Sequence, residues 1–183
     1  MERADAARNR AAILRAADDL LATHDLEHVS MERVAAAAGV GKGTVFHRFG
    51  SREGLMRALV ESRVSELIDD FTSGPPPLGP GAAPVERLTA FFDAVVELAS
   101  RNVKVMAAFE QASSDRLQSP TYLAWHGHVS GLIFAARPGL DADLIAHLLL
   151  GSLHSDLILH LLRTGEAPRL ATGLRSMIET LLR

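Results

Sequence analysis

Residues 30–52, SMERVAAAAGVGKGTVFHRFGSR, set a four-alanine run directly before Gly39 and follow it with Val40 and Val45. Few folds accommodate that order. Small side chains from Ala35 to Ala38 let another helix approach closely, and glycine at position 39 takes the left-handed backbone conformation that a Cβ disfavours. Val34, Ala38, Val40 and Val45 then make one inner face. The spacing predicts two short helices packed across a sharp turn, with the Ser30 hydroxyl capping the first. The outer side of the second helix would carry Lys42, Thr44, His47 and Arg48, as a surface reading DNA requires. An Ala-rich hairpin buried in a core is the bland alternative.

The rest of the 183-residue chain repeats its apolar residues at helical spacing, and no segment alternates as a strand would. Ile13, Ala17, Leu20 and Leu21 mark a first helix over about 6–23, and the apolar face from Leu55 to Phe71 marks a long one opened by Ser51. TSGPPPLGPGAAP at 72–84 cannot continue a helix and reads as a mobile loop. Beyond it the pattern predicts helices over 84–101, 103–113, 120–137, 141–163 and 168–182, with Asn102 separating the first two. The expected fold is all-α with nine helices. The expected division is a helix-turn-helix domain over 1–50, a connecting helix over 51–71, a loop over 72–84 and a larger domain over 85–183.

Charge distribution supports a nucleic-acid surface more than total charge does. The chain is −3 overall, yet Ser30 to Arg57 holds five basic and two acidic residues, a net +3 on a body of −6. The absence of Cys excludes disulfides, thiol catalysis and thiolate metal sites. The charged start MERADAARNR carries no secretion signal, so a cytoplasmic setting is expected. Leu144 to Leu162 is apolar enough to raise the question of a membrane span, but its three histidines, two serines and Asp156 point to a helix buried in protein.

Residues 10–55, RAAILRAADDLLATHDLEHVSMERVAAAAGVGKGTVFHRFGSREGL, resemble the N-terminal domain of the tetracycline-repressor (TetR) family. Members typically show ILxAA, AGVSxGTxYxHF and SKExL, and the likeness runs without a gap from about Arg10 to Leu59. Three positions depart from the pattern. Gly41 replaces a serine and leaves backbone N–H groups for a phosphate. Phe46 replaces a tyrosine and removes a phenolic hydroxyl. Arg52 replaces a lysine and keeps the charge in bidentate form.

The resemblance implies roles residue by residue. Lys42 would read base edges, Gly43 would let the backbone approach the groove, and Thr44 would touch phosphate or a thymine methyl. His47, Arg52 and the helix start at Ser30 and Met31, with Arg33 nearby, would meet phosphates. Arg48 would read or neutralise. Phe46 and Phe49 read more readily as packing residues, and Arg57 and Arg63 as solvated charges.

The same likeness implies a homodimer through the helices 141–163 and 168–182, on double-stranded operator DNA with palindromic half-sites. It also implies a C-terminal domain that takes a small effector and shifts the helix 51–71. Candidate effector-lining residues are Phe92, Met106, Phe109 and Tyr122, with Trp125, His126, His147 and His154 adding polar groups. The expected function is a repressor released by a small apolar or aromatic molecule; a regulator of the same fold needing no effector is the rival. No cofactor is expected, and no metal, because no HxxxH or HxxE pair occurs among His126, His128, His147 and His154. Catalysis is not expected either: Asp156, Ser155 and His154 are adjacent on a helix and point apart.

Overall fold

The computed structural model describes the backbone of residues 2–109, 116–153 and 155–183, with side chains over 5–103, 117–153 and 155–183. No strand occurs among the described residues, which form nine α-helices. The chain divides into two compact units, residues 1–63 and 64–183.

In the first unit, α1 (Glu2–Thr23) is followed by a single 3-10 turn at Leu26–His28, then α2 (Met31–Ala37), α3 (Lys42–Phe49) and the start of α4 (Arg52–Ser73). Ile13, Ala17, Val34, Val45 and Leu55 are each wholly buried and make the core. The turn between α2 and α3 is built as its residues demand. Gly39 stands at φ +67°, and the Val40 N–H reaches back to the Ala35 carbonyl at 3.0 Å. The Ser30 hydroxyl accepts from the Arg33 N–H at 3.2 Å, starting α2, and the Ser51 hydroxyl accepts from the Gly54 N–H at 3.1 Å, starting α4. Gly54 has a separate reason to lack a side chain, since a Cβ there would run into the Phe49 carbonyl oxygen. Arg63 pairs with Asp18 and is largely covered, so it is not the solvated charge expected of it.

The second unit comprises the end of α4, then α5 (Pro84–Phe109), a 3-10 turn at Arg116–Gln118, α6 (Pro120–Ala136), α7 (Ala142–Ser152), α8 (Asp156–Arg163) and α9 (Ala167–Leu181). Its core is centred on Leu88, Phe91, Phe92 and Val96 of α5, packed against Val129 and Ile133 of α6, Leu150 of α7 and Ile178 of α9. The segment 74–83 is a loop as expected but is pinned: Arg87 donates to the carbonyls of Phe71, at 2.8 Å, and Leu78, at 3.3 Å.

Two helix boundaries differ from expectation. Asn102 does not break the helix, because its side chain is buried and donates to the Leu98 carbonyl four residues back at 2.7 Å; α5 continues through it to Phe109. Conversely, the expected helix 141–163 is two. Ser155 leaves helical geometry, at φ −77° and ψ 149°, and its hydroxyl caps α8 by accepting from the Ile158 N–H. The two helices meet at 48°, so no single helix is long and apolar enough to cross a membrane among the described residues.

Candidate functional site

On α3 the buried anchor is Val45, wholly enclosed, and the residues around it turn outward. Lys42, Gly43, Thr44, His47 and Arg48 are all exposed. Phe46 is 38% exposed, so the packing role read for it does not hold and its ring belongs to the outer face. Gly41 begins the helix in extended geometry with no side-chain cap, although its carbonyl accepts the Thr44 N–H at 2.9 Å. Lys42 is engaged. Its Nζ lies 2.5 Å from the Glu32 carboxylate of α2 and 5.4 Å from the centre of the Phe46 ring. That hydrogen bond from Lys42, with backbone bonding second, holds the exposed Glu32 carboxyl below its ordinary range.

Four other predicted contact residues are placed differently from one another. The Ser30 hydroxyl is committed to the α2 cap, and the Met31 side chain is buried, which leaves only backbone at that helix start for a phosphate. Arg33 is exposed but folded back, donating Nη1–H to the His28 carbonyl and placing Nη2 3.0 Å from His24 Nε2. Arg52, expected at a phosphate, is engaged within the unit itself. Its Nε donates to the Val29 carbonyl at 2.9 Å and its Nη2 to the Leu26 carbonyl, so the planar fork closes on the connection between α1 and α2. The sequence showed its charge but not the two carbonyls that the turn presents to it.

The model for the tetR family of bacterial regulatory proteins matches residues 13–59, the stretch that builds this turn and its exposed helix. Over those residues the chain is similar to tetR-family regulatory proteins. The chain is 36% identical over 61 residues to the HTH-type transcriptional regulator AlkX of Mycobacterium tuberculosis, a match covering 33% of this chain and 29% of that relative. Over nearly the whole length, the TetR transcription regulatory protein from Mycobacterium vanbaalenii aligns with TM-score 0.57 at 27% identity, covering 90% of this chain and 98% of that one. The transcriptional regulator FadR from Bacillus subtilis, solved in complex with stearoyl-CoA, aligns with TM-score 0.60 at 17% identity, over 93% and 96% of the two chains, a likeness of fold.

In the second unit the predicted effector residues fall into two groups. Phe92 and Trp125 belong to an aromatic cluster around Phe91, whose ring meets Phe92 at 5.4 Å and Trp125 at 5.7 Å, both edge to face. Tyr122, His126 and His147 form a separate polar group with Asp143. Burial, with Asp143 second, pushes the Tyr122 hydroxyl up, and it lies 2.5 Å from His147 Nδ1. The side chains of Met106 and Phe109, and all of His154, lie outside the described residues.

Sequence reasoning gave no role to His128. Its imidazole stacks on Phe71 at 4.1 Å and lies 5.2 Å from Phe91. Among the described residues, its Nε2 and Trp125 Nε1 are buried side-chain atoms with no hydrogen-bond partner. The available signal was spacing, since Trp125, His128 and Leu132 share one side of α6. A shallow groove lined by Arg15, Asp19, Thr23 and Ala38 opens in the first unit and involves none of the predicted effector residues.

Burial, with the Arg87 charge second, lowers the His128 pKa from 6.5 to about 4. The unfolded chain therefore takes up a proton near pH 6.5 that the folded chain refuses until about pH 4. This contribution to stability is complete above pH 6.5 and is lost as the pH falls toward 4. Melting temperature should decline across that window, and His128→Phe should flatten the decline; an equal slope in both proteins would remove His128 as its source.

Proposed function

We propose that the protein binds double-stranded operator DNA as a two-fold dimer, with α3 of each copy in the major groove, and represses until a small apolar or aromatic molecule releases it. The observation that carries the DNA reading is the α3 face, where Lys42, Thr44, His47 and Arg48 stand exposed around buried Val45. One such helix covers only a few base pairs, so paired half-sites are the expected target. The dimer reading draws support from Leu144 and Leu148 of α7, Leu157 of α8 and Met177 of α9, all exposed by 46–64% on helices that sequence reasoning assigned to the interface.

For the effector, the FadR complex with stearoyl-CoA offers a precedent in this fold. In this chain, buried Trp125 Nε1 and His128 Nε2 are polar atoms that a bound molecule would satisfy among apolar rings. The effector reading thus favours an apolar compound bearing a hydrogen-bonding group. A panel of such compounds should include one that raises the melting temperature and weakens DNA binding; DNA binding with no responsive compound would favour an effector-independent regulator.

Selection of bound sequences from a random DNA pool tests the whole reading, because half-site spacing reports dimer geometry. Lys42→Ala should relax preference at one position in each half-site, lowering discrimination there by about ten- to a hundredfold, with little change on random DNA. Equal losses on selected and random DNA would show that Lys42 does not read bases.

A further inference from the structure

Two imidazoles and a carboxylate from different helices converge at one point of the C-terminal unit. His126 of α6 and Asp143 and His147 of α7 each present a donor atom, and these atoms all lie within 4.8 Å of one another. His126 Nε2 is 3.5 Å from Asp143 Oδ1, His147 Nε2 is 3.9 Å from Asp143 Oδ2, and the two rings are centred 4.1 Å apart. These separations exceed an ordinary hydrogen bond of about 2.7–3.2 Å. Both imidazole nitrogens thus face the carboxylate without bonding to it. His126 Nε2 does lie 3.2 Å from the Asp143 backbone oxygen, a contact it would exchange on taking a metal.

The surroundings fix the donors. His147 Nδ1 is held by the Tyr122 hydroxyl at 2.5 Å, and Tyr122 is itself buried. In the tautomer whose Nδ1–H donates to that oxygen, the Nε2 lone pair faces the cluster. A second-layer bond of this kind orients ligating histidines in metal sites generally. The His126 side chain is only 15% exposed, whereas that of Asp143 is 78% exposed and can swing the short distance needed to close on an ion. Donor-to-metal bonds of about 2.0–2.2 Å require such a contraction.

We propose that His126, Asp143 and His147 form a binding site for a divalent transition metal, zinc in the first instance, with Tyr122 positioning His147. Two neutral imidazoles and one carboxylate suit zinc and its neighbours better than calcium or magnesium, which take oxygen ligands. Three protein donors leave a coordination position for water or another molecule. No HxxxH or HxxE pair marks it in the sequence; the site spans α6 and α7, and its local signal is Asp143 one helical turn before His147.

The test uses the full chain without a histidine tag, stripped of metal by a chelator that is then removed. Cobalt is titrated by visible absorption and zinc by calorimetry, without DNA, so the outcome does not depend on the regulatory reading. Saturation at one ion per chain is expected, together with a zinc-dependent rise in melting temperature. His126→Gln, His147→Gln and Asp143→Asn should each weaken binding at least tenfold. Tyr122→Phe, which removes only the orienting hydroxyl, should weaken it by about tenfold. His160→Gln, at an exposed position on α8, should leave affinity unchanged. Asp143→Asn, also at an exposed position, keeps the test decisive if a histidine variant folds poorly. Absence of saturable binding in the parent chain, or undiminished affinity in Asp143→Asn, would overturn the assignment.

Discussion

Arg52→Ala is expected to destabilise the N-terminal unit by about 2–4 kcal/mol and to lower DNA binding on every sequence alike. The estimate follows from two charge-assisted hydrogen bonds of about 1.5–3 kcal/mol each, in part offset by the solvation that exposed groups regain. Val29 is 1% exposed, so its carbonyl has little access to replacement water. Without the guanidinium, the connection from Leu26 to Val29 loses its tie to α4, and with it the placement of α2 under α3 loosens. Arg52→Lys should recover less than half the loss, since one ammonium cannot reproduce two fixed donors. Thermal unfolding followed by circular dichroism, alongside titration with operator and random DNA, distinguishes this from a phosphate contact. An unchanged melting temperature with a flatter salt dependence would return Arg52 to the DNA face.

In the C-terminal unit the largest effect belongs to Phe91. Its ring is wholly buried and touches Phe71, Phe92, Trp125 and His128. Phe91→Ala removes the hub of that cluster and should cost about 3–5 kcal/mol, the upper part of the range if the surrounding rings cannot collapse into the space. The chain's single tryptophan, Trp125, sits against this ring, so its fluorescence reports unfolding of the unit directly. A shift in urea midpoint corresponding to less than about 1 kcal/mol would mean that the rings close over the gap and that this core is less rigid than its edge-to-face geometry implies.

What was legible in the sequence was local. The turn at Gly39, the caps at Ser30 and Ser51, and the inward apolar stripes each depend on residues a few positions apart, and each appears where expected. Asn102 misled because an asparagine breaks a helix only if its amide competes with the backbone; here the amide serves the helix by bonding to Leu98. Ser155 misled in the other direction, for its hydroxyl is as compatible with a small packing residue as with a cap. Arg52 and His126 were illegible for a shared reason. Their partners lie 17 to 26 residues away, and no periodicity encodes which carbonyl or ring the fold will bring there.

The Glu32 carboxylate on Lys42 bears on DNA contact rather than on fold. An exposed pair of this kind is screened by solvent and contributes too little to shape the domain. It nevertheless supplies a resident competitor at the one side chain proposed to read a base. A base edge offering two well-placed acceptors displaces the carboxylate, and a poorer edge leaves Lys42 where it is. In the proposed complex the ion pair lowers what a base contact by Lys42 contributes, by the same amount for every base that displaces the carboxylate.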